Sequence, residues 1–184
     1  ADFDCDGLEE IIVNTKYFNL LFRPYEGATL SNWDYKPKSF NLANTLSRKY
    51  EFYHEKLRQS SEQKFNIPEV AINNQPSSIH DIMPIKQKGL ENLLFYDSYP
   101  RYSLRDYFLE KDTSLENFLT NRFIALGDFD KGAYEYKYKN KRAAFEVSFS
   151  HRGFVDNNAV ILSKVIRNKK EYLSFVRRIT LPLV

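Results

Sequence analysis

Apolar and charged residues alternate in the last third of this 184-residue chain. In residues 133–139 tyrosines fall on one side of an extended chain and charged residues on the other, and residues 143–150 repeat the alternation. Apolar runs at 159–166 and 171–176 follow, and His151–Gly153 is predicted to be a turn between two strands. Such hairpins have one apolar face that a second sheet must cover. The pattern predicts a mainly β fold, an antiparallel β-sandwich with short helical inserts.

The amino-terminal part contributes more predicted strands. Residues 10–14, 17–22 and 28–35 are apolar or β-branched runs separated by short turns, which predicts an antiparallel meander. Trp33, the only tryptophan, lies in the third run. Its ring could stack on a sugar, but a single tryptophan in a strand is more often part of the core. The tyrosine strip at 134, 136 and 138 leaves the same two alternatives, because tyrosine combines an apolar face with a polar tip.

One helix is predicted between the two β-rich parts, where four apolar residues recur at helical spacing: Leu46, Tyr50, Tyr53 and Leu57. Glu51 and His54 lie in the same segment. A histidine beside carboxylates can bind a metal or carry a proton. Next to aromatic rings it more often has a structural role, and we favour that role for His54. Residues 58–75 are polar and aperiodic, which is typical of a long surface connection, and residues 77–83 suggest a short capped turn.

Residues 96–109 separate the two halves of the sequence and combine tyrosines with both signs of charge. Pro100 disfavours a helix before it, because the residue that precedes a proline is forced towards extended geometry. Ser103 is predicted to cap a short helix, with Asp106 three residues later in the capping-box position. We also predict an ion-pair cluster beneath the tyrosines, formed by Asp97, Arg101, Arg105 and Asp106.

Three aspartates at alternate positions, Asp2, Asp4 and Asp6, precede a glycine near the amino terminus. This resembles the start of a calcium-binding loop. An EF-hand is excluded, because its twelfth position requires a bidentate glutamate and here holds Val13. A looser calcium site remains as an alternative to a simple Asp/Gly turn. We favour the turn and expect no cofactor, with calcium as the one alternative.

The totals exclude several classes of protein. The 27 basic and 24 acidic side chains are interleaved, which argues against a nucleic-acid partner. No apolar run approaches the roughly 18 residues of a membrane helix. A single cysteine, Cys5, excludes an internal disulfide framework and fits a cytoplasmic protein. The sequence carries no nucleophile elbow, zinc-protease, P-loop or dinucleotide motif. Both ends look cut, so we expect a fragment of a larger protein.

Three of these segments, in this order, resemble the carboxy-terminal region of glycoside hydrolase family 57 enzymes of the 4-α-glucanotransferase and α-amylase type. They are residues 2–10, 48–54 and 96–108, and the third is the most specific. The resemblance implies a single galactose-mutarotase-like β-sandwich domain over residues 1–184, truncated at its carboxy-terminal end. It also implies that a glutamate nucleophile and an aspartate acid/base lie on a separate catalytic barrel. Lys49, Ser98 and Tyr107 depart from the family's pattern.

We therefore expect a non-catalytic accessory domain of an α-glucan-processing enzyme, which packs on the catalytic barrel and assists the binding of an α-glucan or maltooligosaccharide. The alternative is a stand-alone carbohydrate-binding or protein-interaction module. A third hypothesis, an autonomous hydrolase, would use Glu51 with Asp97 or Asp106. The residues expected to bind sugar or face the barrel are Trp33, Glu51, His54, Tyr96, Asp97, Arg101 and Asp106, and the metal candidates are Asp2, Asp4 and Asp6.

Overall fold

The computed structural model describes residues 1–43, 47–62, 89–141, 144–169 and 171–182. Within these ranges, no helix is long and apolar enough to cross a membrane. The strands are β1 (Ile11–Asn14), β2 (Phe18–Arg23), β3 (Thr29–Tyr35), β4 (Phe40–Asn41), β5 (Phe108–Leu109), β6 (Ala125–Leu126), β7 (Glu135–Lys141), β8 (Ala144–Val155), β9 (Asn158–Lys169) and β10 (Tyr172–Thr180). The α-helices are α1 (Phe52–Glu62) and α2 (Leu115–Leu119).

The first sheet is the predicted meander, with four antiparallel strands in the order β1-β2-β3-β4. Strand β2 alternates between buried and half-buried residues, and its buried side chains are Phe18, Leu20 and Phe22. This period of two aligns one apolar face with the core. A register shift between Leu21 and Phe22 marks a bulge against β3.

The second sheet contains four antiparallel strands in the order β10-β9-β8-β7. Strand β8 places Phe145, Val147 and Phe149 in the core. The prediction of a turn at His151–Gly153 is wrong, because β8 continues through these residues and pairs with β9 as far as Val155. The chain turns instead at the next two residues, Asp156 and Asn157, which both have positive φ angles. That conformation matches the right-handed twist of the flanking strands.

Side chains from both sheets share one core, which confirms the predicted antiparallel sandwich. The ring of Phe22 in the first sheet lies 5.6 Å from that of Phe149 in the second, centroid to centroid. Trp33 and Phe175 make a similar contact at 5.3 Å. Burying a side chain of this size stabilises the fold by about 1.5–3 kcal/mol, so aromatic packing across the sheets helps to hold them together.

The chain divides into two compact units. The sandwich unit comprises Ala1–Ser47 and Tyr99–Val184 and holds both four-stranded sheets. The helical unit comprises Arg48–Ser98 and holds α1. A helix is confirmed in this segment, although it begins at Phe52 and extends past Arg58 into the predicted connection. The rest of that connection and the predicted turn at 77–83 lie outside the described residues. The single domain over 1–184 stays a prediction.

Candidate functional site

A buried ion-pair cluster lies in the sandwich unit, on strands β9 and β10. The ammonium group of Lys164 on β9 lies 2.8 Å from Oδ2 of Asp106. Nε of Arg177 on β10 lies 2.8 Å from the other oxygen of the same carboxylate. Lys164 is almost fully buried, at 1% exposure. Asp106 therefore lies between two cations that the last hairpin supplies, and we call this group the Lys164 cluster.

Lys164 also connects parts of the chain that lie far apart in sequence. Its ammonium donates hydrogen bonds to the carbonyl of Gly27 at 2.5 Å and to that of Leu104 at 2.6 Å. It lies 4.8 Å from the ring centroid of Tyr134. Burial lowers the pKa of Lys164 to about 8, and the Asp106 carboxylate opposes this shift. The ammonium thus donates to two carbonyls and lies beside one carboxylate, which offsets part of the cost of burying the charge.

Sequence reasoning missed Lys164, although a signal for it was present. Lys164 lies on β9 at an inward position, between the buried residues Leu162 and Ile166. A lysine on the core face of an otherwise apolar strand requires a buried acceptor, because an unpaired buried charge is costly. The alternation therefore pointed to a buried polar cluster, while its partners could come only from the fold.

The predictions for residues 96–109 are partly wrong. No helix begins at Ser103, which instead forms a β-bridge with Leu30. Leu104 has a positive φ of 65°. Its carbonyl, which a helix would use within its own turn, accepts the hydrogen bond from Lys164. This contact from a distant strand explains why the capping-box pattern does not produce a helix.

The predicted ion-pair cluster of residues 97–106 does not form as a group, because its members have other partners. Arg105 donates to Oε1 of Glu26 at 2.6 Å and lies over the ring of Tyr99. Asp106 belongs to the Lys164 cluster. The backbone N–H of Arg101 donates to the hydroxyl of Ser47 at 3.1 Å.

In the helical unit, Asp97 is held by Arg48. The guanidinium donates to Oδ1 of Asp97 from Nε at 3.1 Å and from Nη2 at 2.5 Å. The backbone N–H of Arg48 donates to the other carboxylate oxygen at 2.8 Å, and its carbonyl accepts from the N–H of Asp97 at 2.9 Å. These four hydrogen bonds join residues 49 positions apart in the chain. The arrangement closes the two ends of the helical unit on each other.

His54 lies in an aromatic cluster of the same unit. The imidazole is buried, with ring contacts to Tyr50, Tyr53 and Tyr96. Its Nδ1 accepts the backbone N–H of Glu51 at 3.1 Å and lies 3.2 Å from the hydroxyl of Tyr96. Because Nδ1 already accepts from a backbone donor, this ring nitrogen is not available to a metal. The geometry favours the structural role for His54.

Three aromatic side chains at the start of α1 point outwards from the helical unit. Tyr50 is 54% exposed, Phe52 77% and Tyr53 41%. We call these three residues the aromatic surface. Single exposed apolar residues are normal, but neighbouring ones are typical of a binding surface. Glu51, which is also exposed, lies among them.

The amino-terminal segment brings three carboxylates together, and they are not the predicted three. Oxygen atoms of Asp2, Asp4 and Glu10 lie within 4.8 Å of one another. Asp6 instead accepts the backbone N–H of Leu8 at 2.8 Å, as in an Asx turn. Arg23 lies 2.7 Å from Asp4 and 3.8 Å from Glu10, and its hydrogen bond lowers the pKa of Asp4. In this amino-terminal acidic cluster a guanidinium already supplies much of the positive charge that an ion would bring.

The aromatic residues of the sandwich unit divide between the core and the surface. Trp33 is half-buried against Phe175, and within the described ranges its indole N–H has no hydrogen-bond partner. Tyr134 is buried, and its hydroxyl donates to the carbonyl of Phe129 at 2.9 Å. Tyr136 is half-buried and Tyr138 is 70% exposed. The tyrosine strip thus begins in the core and ends at the surface.

Two antiparallel sheets around one aromatic core, with a buried lysine between them, define an all-β sandwich domain with a helical insert. A family model described as "Alpha-amylase/4-alpha-glucanotransferase, C-terminal" matches residues 2–181. The chain belongs to this family. The family match confirms the resemblance that the three sequence segments indicated.

Several known proteins are similar to the chain. It is 37% identical over 165 residues to alpha-amylase 1 of Dictyoglomus thermophilum, covering 89% of this chain and 23% of that protein. It is 33% identical to 4-alpha-glucanotransferase of Thermococcus kodakarensis, covering 73% of this chain and 20% of that protein. The crystal structure of 4-alpha-glucanotransferase from Thermococcus litoralis matches 97% of the chain and 25% of its own length, with a TM-score of 0.73 and 23% identity. The chain thus spans a quarter or less of these relatives, and the structural match supports the fold.

Proposed function

We propose that this chain is a non-catalytic accessory β-sandwich of an α-glucan-processing enzyme, where it packs on the catalytic domain and assists glucan binding. The observation that carries the proposal is the family match over residues 2–181, which is to the carboxy-terminal region of much longer enzymes. Those relatives are named alpha-amylases and 4-alpha-glucanotransferases. The exposed free thiol of Cys5 suits a reducing compartment such as the cytoplasm.

The ion pairs of the predicted carboxylates support a non-catalytic role. Glycoside hydrolysis requires one carboxylic acid that gives up a proton and a second carboxylate across a sugar-binding cleft. Asp97 accepts three hydrogen bonds from Arg48, and Asp106 lies between Lys164 and Arg177. Both side chains are mostly buried, at 8% exposure for Asp97 and 18% for Asp106, and cations of the chain already engage them, so neither lies open to a sugar. These contacts argue against the autonomous hydrolase.

The aromatic surface of the helical unit is our candidate for the contact with the catalytic domain. Its two most exposed rings, Phe52 and Tyr50, would be desolvated by such a contact. The ring of Tyr50 contacts the buried ring of His54 and the half-buried ring of Tyr96, so this part of the surface is held in place before it meets a partner. Glu51 adds a carboxylate that could bond the hydroxyls of a glucan.

Activity measurements on the chain alone test the proposal. Disproportionation and hydrolysis of maltooligosaccharides should not exceed the rate in buffer. Turnover by the chain at enzyme-like rates, lost on Asp97→Asn or Asp106→Asn, would contradict it. The positive arm is calorimetric titration of the chain into the separately produced catalytic part of its own enzyme. We expect binding that Phe52→Ala weakens and that Leu119→Ala, at an exposed position of the sandwich unit, leaves unchanged.

A stand-alone carbohydrate-binding or protein-interaction module is the second candidate. Tyr138, the exposed tyrosine at the end of the strip, favours such a module, because an exposed tyrosine ring on an edge strand can stack on a sugar ring. Only the first candidate function requires the chain to bind a catalytic domain. Sugar binding by the chain together with no measurable affinity for a catalytic domain would favour the module.

A further inference from the structure

A groove of about 850 Å³ opens in the sandwich unit between strand β1 of the first sheet and strands β7 and β8 of the second. It lies at the edge of both sheets, because β1 and β7 are each the last strand of their sheet. The volume lies within the range of pockets that hold small organic ligands. The residues that matter for its chemistry are Asn14, Tyr136, Tyr138, Lys139, Asn140 and Glu146.

Two tyrosines of β7 give this groove an aromatic wall. Tyr136 and Tyr138 are two positions apart on one strand, so their side chains lie on the same face at a spacing of about 6.8 Å. Tyr136 is half-buried and packs against the core, whereas Tyr138 is 70% exposed. The pair therefore offers, along strand β7, one ring that the core holds in place and one ring that is exposed to solvent. A ligand with repeated apolar faces at a spacing of several ångströms fits this wall.

The charged residues of the groove lining carry both signs, three acidic and two basic: Glu9, Glu10, Glu146, Lys16 and Lys139. Asn140 provides an amide that both donates and accepts hydrogen bonds, whereas the amide oxygen of Asn14 already accepts from the ammonium of Lys36. Glu146 lies 3.5 Å from Lys139 and accepts from Nε of Arg167 at 2.5 Å, and the hydrogen bond from Arg167 lowers its pKa. The carboxylate thus stays ionised and has its counter-charges beside it. Such a set suits a neutral ligand with many hydroxyls better than an anion or a cation.

An added peptide strand is the other occupant that a groove between two sheet edges could take. Strand β1 offers only four residues, Ile11–Asn14, for pairing. Strand β7 carries lysines at two alternate positions, Lys137 and Lys139. Lysines on an edge strand are a common feature that prevents another strand from pairing with it. These features make strand addition the poorer fit.

We propose that the groove between β1 and β7 binds a neutral oligosaccharide, with sugar rings on Tyr138 and Tyr136 and hydroxyls on Asn140 and Asn14. This site lies in the sandwich unit and is separate from the aromatic surface of the helical unit. It gives a location to the glucan binding of the proposed function and rests on that part of it, whereas packing on a catalytic domain is independent of the groove. The chemistry of the groove does not choose between α- and β-linked chains of glucose, so the experiment includes both.

The test is titration of the 184-residue chain with maltohexaose and, separately, cellohexaose, followed by amide chemical shifts. A tri-acidic sugar oligomer, trigalacturonate, probes the preference for a neutral ligand. We expect saturable shifts at β1 and β7 with one of the neutral sugars and weaker shifts with the acid. Tyr138→Ala should weaken binding by about tenfold, which corresponds to the loss of one stacked ring. Tyr138 is exposed on an edge strand, so this variant should fold.

Tyr172→Ala is the matched control, because Tyr172 is 72% exposed on β10 at the opposite edge of the same sheet. Its affinity should equal that of the unchanged chain. Tyr50→Ala separates the two proposals, since it removes a ring of the aromatic surface and should leave the groove intact. No saturable response to either neutral sugar up to about 10 mM, a concentration that would reveal even millimolar binding, would overturn the inference. An equal loss of affinity in Tyr138→Ala and Tyr172→Ala would overturn it as well.

Discussion

Replacing Lys164 with methionine removes the ammonium of the Lys164 cluster and keeps most of the apolar stem. Two carbonyls, the buried one of Gly27 and the partly buried one of Leu104, would lose their donor. Leaving each one unsatisfied costs about 1–3 kcal/mol. Asp106 keeps Arg177, so its carboxylate is not left without a cation. We expect the free energy of unfolding to fall by about 2–4 kcal/mol, because two carbonyls lose their donor and only one of them is fully buried.

Urea unfolding measures this loss, and Trp33 provides the signal, because the only tryptophan packs against Phe175 on the other sheet. Lys169→Met is the matched control, since Lys169 lies on the same strand but is exposed. It should change the free energy of unfolding by less than about 0.5 kcal/mol. If Lys164→Met cost no more than this control, the cluster would not be a stabilising contact and the reasoning would fail.

The same cluster predicts a dependence on pH. Burial lowers the pKa of Lys164 to about 8 in the folded chain, below the ordinary lysine value of 10.5. Because the folded pKa is the lower one, the unfolded chain binds more protons between these values, and stability rises with pH from about 8 to 10.5. One such group contributes about 1.4 kcal/mol per pH unit within that window. The charged and titratable groups around the ammonium are Asp106, Arg177, Arg105 and Tyr134. Subtracting the pH dependence of Lys164→Met from that of the original chain isolates the part that Lys164 contributes.

Three further predictions concern other parts of the chain. Gly27→Ala should lower the free energy of unfolding by about 2–4 kcal/mol, because φ is +68° and the new Cβ would lie 2.3 Å from the carbonyl oxygen of Asp130. Gly7→Ala is the control and should cost about 1 kcal/mol, because a Cβ at Gly7 would meet no other atom within 4 Å. The melting temperature of the chain should be the same in calcium and in chelator. A rise of several degrees with calcium would identify a metal site at the amino-terminal acidic cluster. Arg48→Ala should lower amide-exchange protection at Asp97 without affecting β8 and β9.

The sequence was sufficient for the β-sandwich because periodicity is local. Alternation in β2 and β8 places Phe22 and Phe149 on faces that must be covered, and the two rings meet. The turn at His151–Gly153 was wrong for a non-local reason. Gly153 faces the ring of Phe129, where a Cβ would lie 2.9 Å from Cζ, so glycine makes room for a neighbouring loop. A strand glycine that accommodates such a loop has the same local pattern as a turn glycine.

The polar contacts depended even more on distant partners. His54 and Tyr96 were both suspected from the sequence, and the structure brings them together at 3.2 Å. Nothing local distinguished Asp97, which Arg48 holds, from Asp106, which Lys164 holds. A carboxylate's role follows from which cation reaches it, and that cation lies tens of residues away. Sequence reasoning therefore found the residue types of the candidate sites but could not pair them.

Residues 96–109 show how one recognisable segment can serve two units of structure. Asp97 belongs to the helical unit and is held there by Arg48, whereas Asp106, nine positions later, anchors the last hairpin of the sandwich unit. Each aspartate pairs with backbone or cationic groups within its own unit, so both contribute to the packing of that unit. These contacts account for the two aspartates of the segment. We therefore place the proposed contact surface and the proposed sugar groove elsewhere, at Tyr50 and Tyr138.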